Sequence, residues 1–169
     1  PAGVSGMLRD HFASVGSTRQ SLFEQDFIDI SRVSLDANDK LALATENPLD
    51  TPFPASSLGS QLRAVAKTIG SRQAIGAKRQ VYFVGLGGFD THSNQAQALP
   101  GLQQTLSDAM TAFYNATEEL GVADQVTTFT AADFGRTLTA NGDGTDHGWG
   151  GHHFVVGGAV RGGNIYGDI

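Results

Sequence analysis

The chain has 169 residues, 40% hydrophobic and 17% charged, which is enough for one domain with an apolar core. Its net charge is −6 and its 11 Lys and Arg are spread along the chain, adjacent only at Lys78 and Arg79, so no basic patch for nucleic acid or an anionic membrane is visible. With no cysteine, disulfides and thiolate metal sites are excluded, and any metal must be held by imidazole, carboxylate or carbonyl oxygen.

No apolar run approaches the roughly 18 residues of a membrane span. Residues 1–6 lack the basic start and apolar core of a signal peptide. An opening Pro1 in place of Met leads to the expectation of a processed or truncated chain, a C-terminal fragment. Sixteen of the 22 glycines and four of the five histidines fall from Gly85 onward. The second half is therefore expected to carry the site and the first half to support it.

In chain order, residues 1–16 show no clear period. Phe23, Phe27 and Ile30 recur at i, i+4, i+7 with Ser17 or Thr18 as candidate caps, which predicts a helix of about four turns. Pro48, Pro52 and Pro54 make residues 47–54 an extended connection. Leu58, Leu62, Val65 and Ile69 form a second amphipathic stripe, begun near Ser56 and Ser57 and stopped near Gly70. The β-branched and aromatic block 81–86 predicts a buried strand. Asp90 and His92 follow it, where open α/β sheets place their ligands. Leu102, Leu106, Met110, Phe113 and Leu120 line a third helix with Gly121 as its stop, and residues 126–130 predict a second strand.

Strand, helix and strand from 81 to 130 make a βαβ unit with parallel strands. Residues 154–156 and 165–166 are further short strand candidates. The expected fold class is α/β, a parallel or mostly parallel sheet flanked by helices. Residues 1–78 are expected to be a helical support segment, and 79–169 the βαβ portion of the same domain that carries a metal site.

Asp90 and His92 are two apart, so on an extended chain both side chains point to one side, as paired ligands of one ion require. Taken alone, a loop cap and a solvated imidazole are the commoner outcome. Asp133 after the second strand reads equally as a turn residue. Arg136 offers a bidentate clamp for an oxyanion, or simply a partner for Asp133. The loop 141–151 is rich in Asn, Gly and Asp. Aligned as an EF-hand it fails, because Asp146 occupies the place of the turn glycine and His152 that of the bidentate Glu. A turn-rich surface loop accounts for that composition. It accounts less well for Asp146, His147, His152 and His153 within so short a span, and as a set these favour metal binding, although His153 taken individually does not. His11 stands apart as a structural or exposed residue.

Gly85, Leu86, Gly87 and Gly88 do not extend to G-x-G-x-x-G, and no Lys-Ser or Lys-Thr follows, so a nucleotide fold is not indicated. No G-x-S-x-G elbow supports a serine hydrolase.

The runs 88–95 (GFDTHSNQ), 133–137 (DFGRT), 141–148 (NGDGTDHG) and 157–163 (GGAVRGG), in this order, resemble the bacterial family known as domain of unknown function 1501. The resemblance is good over residues 80–169 and loose before them. That family resembles the alkaline phosphatase and sulfatase superfamily. The resemblance implies an alkaline-phosphatase-like α/β fold and a metal site at the strand ends, with a twin-arginine leader and hence a periplasmic or otherwise exported location. Carried over by motif, it implies Asp90, His92, Asp133, Asp146, His147 and His152 as metal ligands. Asp133 stands where the family motif more often has Glu. The superfamily's nucleophilic Ser or Thr has no counterpart in the chain.

These readings converge on part of a metal-dependent hydrolase of phosphate or sulfate esters. The cofactor would be a divalent metal, zinc or manganese. The partner would be a small anionic ester substrate, with Arg136 as the catalytic group on its oxyanion. The alternative is a non-catalytic exported binding or scaffold protein with the same fold.

Overall fold

Helices carry most of the ordered backbone in the computed structural model, which describes residues 2–15, 21–45, 47–76 and 78–167, with side chains for all of these except 2–5 and 43–45. Pro1, Ser17 and Thr18, singled out in the sequence, lie outside the described residues. In chain order the elements are α1 (Ala2–Val15), α2 (Leu22–Thr45), α3 (Ser57–Gly70), α4 (Arg72–Ile75), α5 (Gln95–Glu119), a 3₁₀ turn (Ala123–Gln125), and strands β1 (Thr128–Phe129), β2 (Gly135–Ala140), β3 (Thr145–Gly148) and β4 (Val155–Val156). The chain divides into two compact units, residues 1–47 with 67–80, and residues 48–66 with 81–169.

In the first unit α1 packs on α2 and α2 on α4. Arg9 pairs with Asp39 at 2.6 Å, and Arg32 donates to the Phe12 carbonyl at 3.0 Å. The Phe12 and Phe27 rings meet edge to face, 6.2 Å between centroids. The predicted stripe does lie on a helix, but it is not the buried face: Ile28 is 4% exposed while Phe23 is 88% exposed. Short α4 ends on Gly76, whose φ of +74° lets its N–H reach the Arg72 carbonyl.

The second unit is built on α5 and the first turns of α3. Ser56 accepts a hydrogen bond from the Gly59 N–H at 3.0 Å and so caps α3. Leu58, Leu62 and Ala66 are buried along it. On α5 the residues Ala109, Met110, Ala112, Phe113 and Ala116 form the apolar face, and Val122 closes it. Burying a side chain the size of Phe113 or Met110 contributes about 1.5–3 kcal/mol. The helix stops as its glycine predicts. Gly121 takes φ +66°, its N–H bonds the Glu118 carbonyl, and the Val122 N–H bonds that of Thr117, both at 2.9 Å. Glu119 then ties the preceding connection to the helix end, accepting the N–H groups of Asp50 and Thr51 at 2.8 Å each and the Thr51 hydroxyl.

The sheet is where expectation and structure part. Among the described residues there are two sheets of two strands each, and both are antiparallel: β1 with β4, and β2 with β3. No parallel sheet flanked by helices forms, no alkaline-phosphatase-like α/β layer is built, and the βαβ unit over 81–130 is overturned by the antiparallel pairing of β1. The block 81–86 belongs to neither sheet. Instead the Gln61 side chain stands in for a neighbouring strand, donating to the Gly85 carbonyl and accepting its N–H, both at 3.0 Å. Val81 and Phe83 remain 92% and 97% exposed. Strand-forming composition supplies a tendency, but a ladder needs a second backbone alongside, and here a side-chain amide takes that place.

Candidate metal centre

The hairpin β2–β3 places the site. Its register sets Gly135 opposite Gly148, Arg136 opposite His147 and Ala140 opposite Thr145, with an irregularity between Arg136 and Ala140. A bridge between Arg136 and Gly150, with N–H to carbonyl distances of 2.7 and 3.2 Å, extends it. The turn is formed by Asn141, Gly142, Asp143 and Gly144, where Gly142 takes φ +127° and the Asn141 N–H bonds the Gly144 carbonyl at 3.0 Å.

That turn docks onto the loop between residue 88 and α5. The Gln95 N–H bonds the Asp143 carbonyl at 2.9 Å, and the Gln95 side-chain amide bridges the hydroxyls of Thr91 and Thr145 at 3.0 and 3.2 Å. Gly144 lies so close to the Thr91 and His92 carbonyls that no Cβ fits there. Asn94, at φ +55°, turns the chain into α5. Two segments about fifty positions apart in sequence are thereby held against each other.

At their junction Asp90 Oδ1 is met by three nitrogen atoms: His147 Nε2 at 2.8 Å, His92 Nε2 at 3.0 Å and Arg136 Nη2 at 2.8 Å. Arg136 is largely buried. Its terminal nitrogens also donate to the carbonyls of Phe89 and Thr145, while its Nε is buried without a partner. The guanidinium thus clasps both segments. Its carbon lies 5.1 Å from the centre of the Phe134 ring, which stacks on His147 with centroids 4.1 Å apart and planes at 10°. The two imidazoles are themselves 4.8 Å apart. On its other side, His92 Nδ1 lies 3.2 Å from Asp146 Oδ1, and that oxygen also accepts the Asn141 side-chain amide at 2.7 Å.

These contacts favour charged carboxylates. Asp90 is held below the ordinary carboxylate range, chiefly by its hydrogen bond with His147 and further by His92 and Arg136. Asp146 is lowered too, first by Asn141 and then by His92.

The donor set could hold a metal ion. One atom from each of Asp90, His92 and His147 lies within 4.8 Å of the others, and all three side chains are about half exposed. Ligands 2.0–2.2 Å from a tetrahedral ion stand about 3.3 Å apart. Asp90 Oδ1 lies closer than that to both imidazoles, while the spread of the three donors reaches 4.8 Å, so seating an ion requires the carboxylate to move out and the two rings to close on each other. Of the other residues singled out in the sequence, Asp146 touches the group through the far nitrogen of His92, while Asp133 and His152 are exposed and lie outside the three-donor group. His153 Nδ1 sits 3.2 Å from the Thr130 hydroxyl.

Phe134, Asn141 and Gln95 shape the site without having been singled out as functional. Asn141 and Gly142 carried a readable hairpin signal, since Asn-Gly and Asp-Gly favour the tight turns that join antiparallel strands. Nothing in the sequence marks Phe134 as the ring beneath His147.

The family model described as "Protein of unknown function (DUF1501)" matches residues 5–169. The chain belongs to the DUF1501 family. No curated protein and no solved structure matches it. The DUF1501 match spans both compact units, and the three donors and Arg136 all lie within the second.

Proposed function

We propose that this DUF1501 chain carries the centre of a metal-dependent hydrolase of phosphate or sulfate esters, with one divalent ion, zinc or manganese, held by Asp90, His92 and His147. The observation that supports it is the convergence of two imidazole nitrogens and one carboxylate oxygen within 4.8 Å on a solvent-facing surface. Three protein ligands with a remaining open position are the arrangement of catalytic rather than structural zinc sites. The choice of phosphate or sulfate esters draws on what the motif resemblance implies and not on the fold, which forms no alkaline-phosphatase-like sheet among the described residues. An ion so held supplies a Lewis acid for an ester oxygen and lowers the pKa of a bound water.

The chain's own residues prepare the site. Asp90 is kept ionised by its nitrogen neighbours and brings negative charge to the ion. Phe134 holds the His147 ring in one plane. Arg136 has both terminal nitrogens committed to carbonyls and to Asp90, so its part is to hold the two loops together rather than to receive an oxyanion.

The test is metal content of protein purified without chelator, followed by hydrolysis of aryl phosphates and aryl sulfates after loading with zinc or manganese. About one ion per chain, with turnover abolished by Asp90→Ala and by His147→Ala, is expected. Full occupancy with no turnover of any ester would overturn the hydrolase reading. No uptake of either metal would overturn the centre itself.

A further inference from the structure

His92 stands between two carboxylates, one on each ring nitrogen. Nε2 faces Asp90 at 3.0 Å and Nδ1 faces Asp146 at 3.2 Å. We infer that Asp146 is not a ligand of the ion but the positioning residue that fixes the ring orientation and tautomer of His92, and this inference rests on the metal reading above.

The two nitrogens point to opposite sides of the imidazole. A carboxylate oxygen bonded to one is therefore directed away from an ion on the other, and Asp146 accordingly lies outside the group of three mutually close donors. Its Oδ1 is also committed twice over, to His92 Nδ1 and to the Asn141 amide at 2.7 Å. Asn141 is held in turn by its backbone bond to Gly144 across the hairpin turn. The chain of support runs from the turn through Asn141 and Asp146 to His92. His92 is about half exposed, and this contact on Nδ1 adds to those that Asp90 and the His147 ring make with it, fixing which nitrogen faces the Asp90 side. A proton on Nδ1, donated to Asp146, leaves the Nε2 lone pair for the ion. Carboxylates placed in this way behind metal-bound histidines contribute about 10–100-fold in affinity.

The experiment titrates cobalt(II) and zinc(II) into wild type, Asp146→Asn and Asp146→Ala, reading affinity by calorimetry and coordination by the visible cobalt spectrum. Long-range nitrogen–proton correlation on the zinc-loaded protein reads the tautomer of His92. The expectation has three parts. Asp146→Ala binds about 10–100-fold more weakly at the same stoichiometry and with the same cobalt spectrum. Asp146→Asn, which still accepts from Nδ1–H through its amide oxygen, recovers part of the loss. His92 carries its proton on Nδ1. An Asp146→Ala affinity equal to wild type, a cobalt spectrum reporting a lost ligand, or a His92 protonated on Nε2 would each overturn the positioning role and leave the metal centre standing. Failure of wild type to bind either metal would overturn both.

Discussion

The Phe134 ring lies flat against the imidazole of His147, 4.1 Å between centroids and 10° from parallel. His147 is about half exposed, so this one face-to-face contact supplies much of the restraint on a side chain that must present Nε2 to Asp90. Aromatic pairs of this kind contribute about 0.5–1.5 kcal/mol beyond their burial. Phe134→Ala should therefore weaken zinc binding a few-fold, and Phe134→Tyr should leave it near wild type. Calorimetric titration of the three proteins checks this, with stoichiometry unchanged throughout.

Arg136 joins three acceptors that belong to two distant segments: the Phe89 carbonyl, the Thr145 carbonyl and Asp90. Hydrogen bonds that involve a charged group contribute about 1.5–3 kcal/mol. Arg136→Ala should lower the urea midpoint clearly. Arg136→Lys should recover little of it, because one ammonium cannot reproduce the planar fork that spans three acceptors. Denaturation followed by circular dichroism separates the two outcomes.

Gly144 packs against the Thr91 and His92 carbonyls with no room for a Cβ. A methyl there must push the hairpin turn away from the Asp90 loop, at about 1–3 kcal/mol. Gly144→Ala should lose both stability and metal affinity. Gly151→Ala, where the nearest atom to a new Cβ is 3.8 Å away, should change neither. Melting temperature and zinc titration of the pair provide the comparison.

Glu119 is held below the usual carboxylate range, first by the Thr51 hydroxyl and then by the backbone N–H groups of Asp50 and Thr51. A carboxylate whose pKa is depressed in the folded state stabilises fully above its unfolded value of about 4.3, and that contribution is lost as pH falls through the depressed folded value. Wild type should therefore exceed Glu119→Gln in stability at neutral pH. The gap should narrow on acidification below pH of about 4. Urea denaturation of both proteins across this range reads the difference directly.

The helices were legible because their evidence is local. Leu58, Leu62 and Ile69 recur at helical spacing and are buried, and Gly121 ends α5 with the backbone geometry a glycine stop provides. At Phe23 and Phe27 the same reasoning found the helix but not its buried face, because periodicity does not say what will lie alongside. The sheet was not legible, since pairing is a relation between segments. Residues 81–86 have strand composition but pair with no strand among the described residues and are met by the Gln61 amide, whereas the polar run around Asn141 holds a hairpin.

The candidate site shows the same division. Asp90 and His92 were visible as a pair, and His147 as part of a crowded loop. That Arg136 faces Asp90, and not Asp133, depends on which strand lies opposite which.

Arg136 and His147 are cross-strand partners, so both side chains leave the hairpin on one face toward Asp90. Strand faces alternate with every residue, and a slip of one position in this pairing would turn the imidazole to the opposite side. The hairpin therefore behaves as a ruler. Relatives that exchange Asp143 for another polar residue can keep this arrangement, while those that gain or lose a single residue between Arg136 and His147 must restore the count elsewhere or lose the shared face of the two side chains.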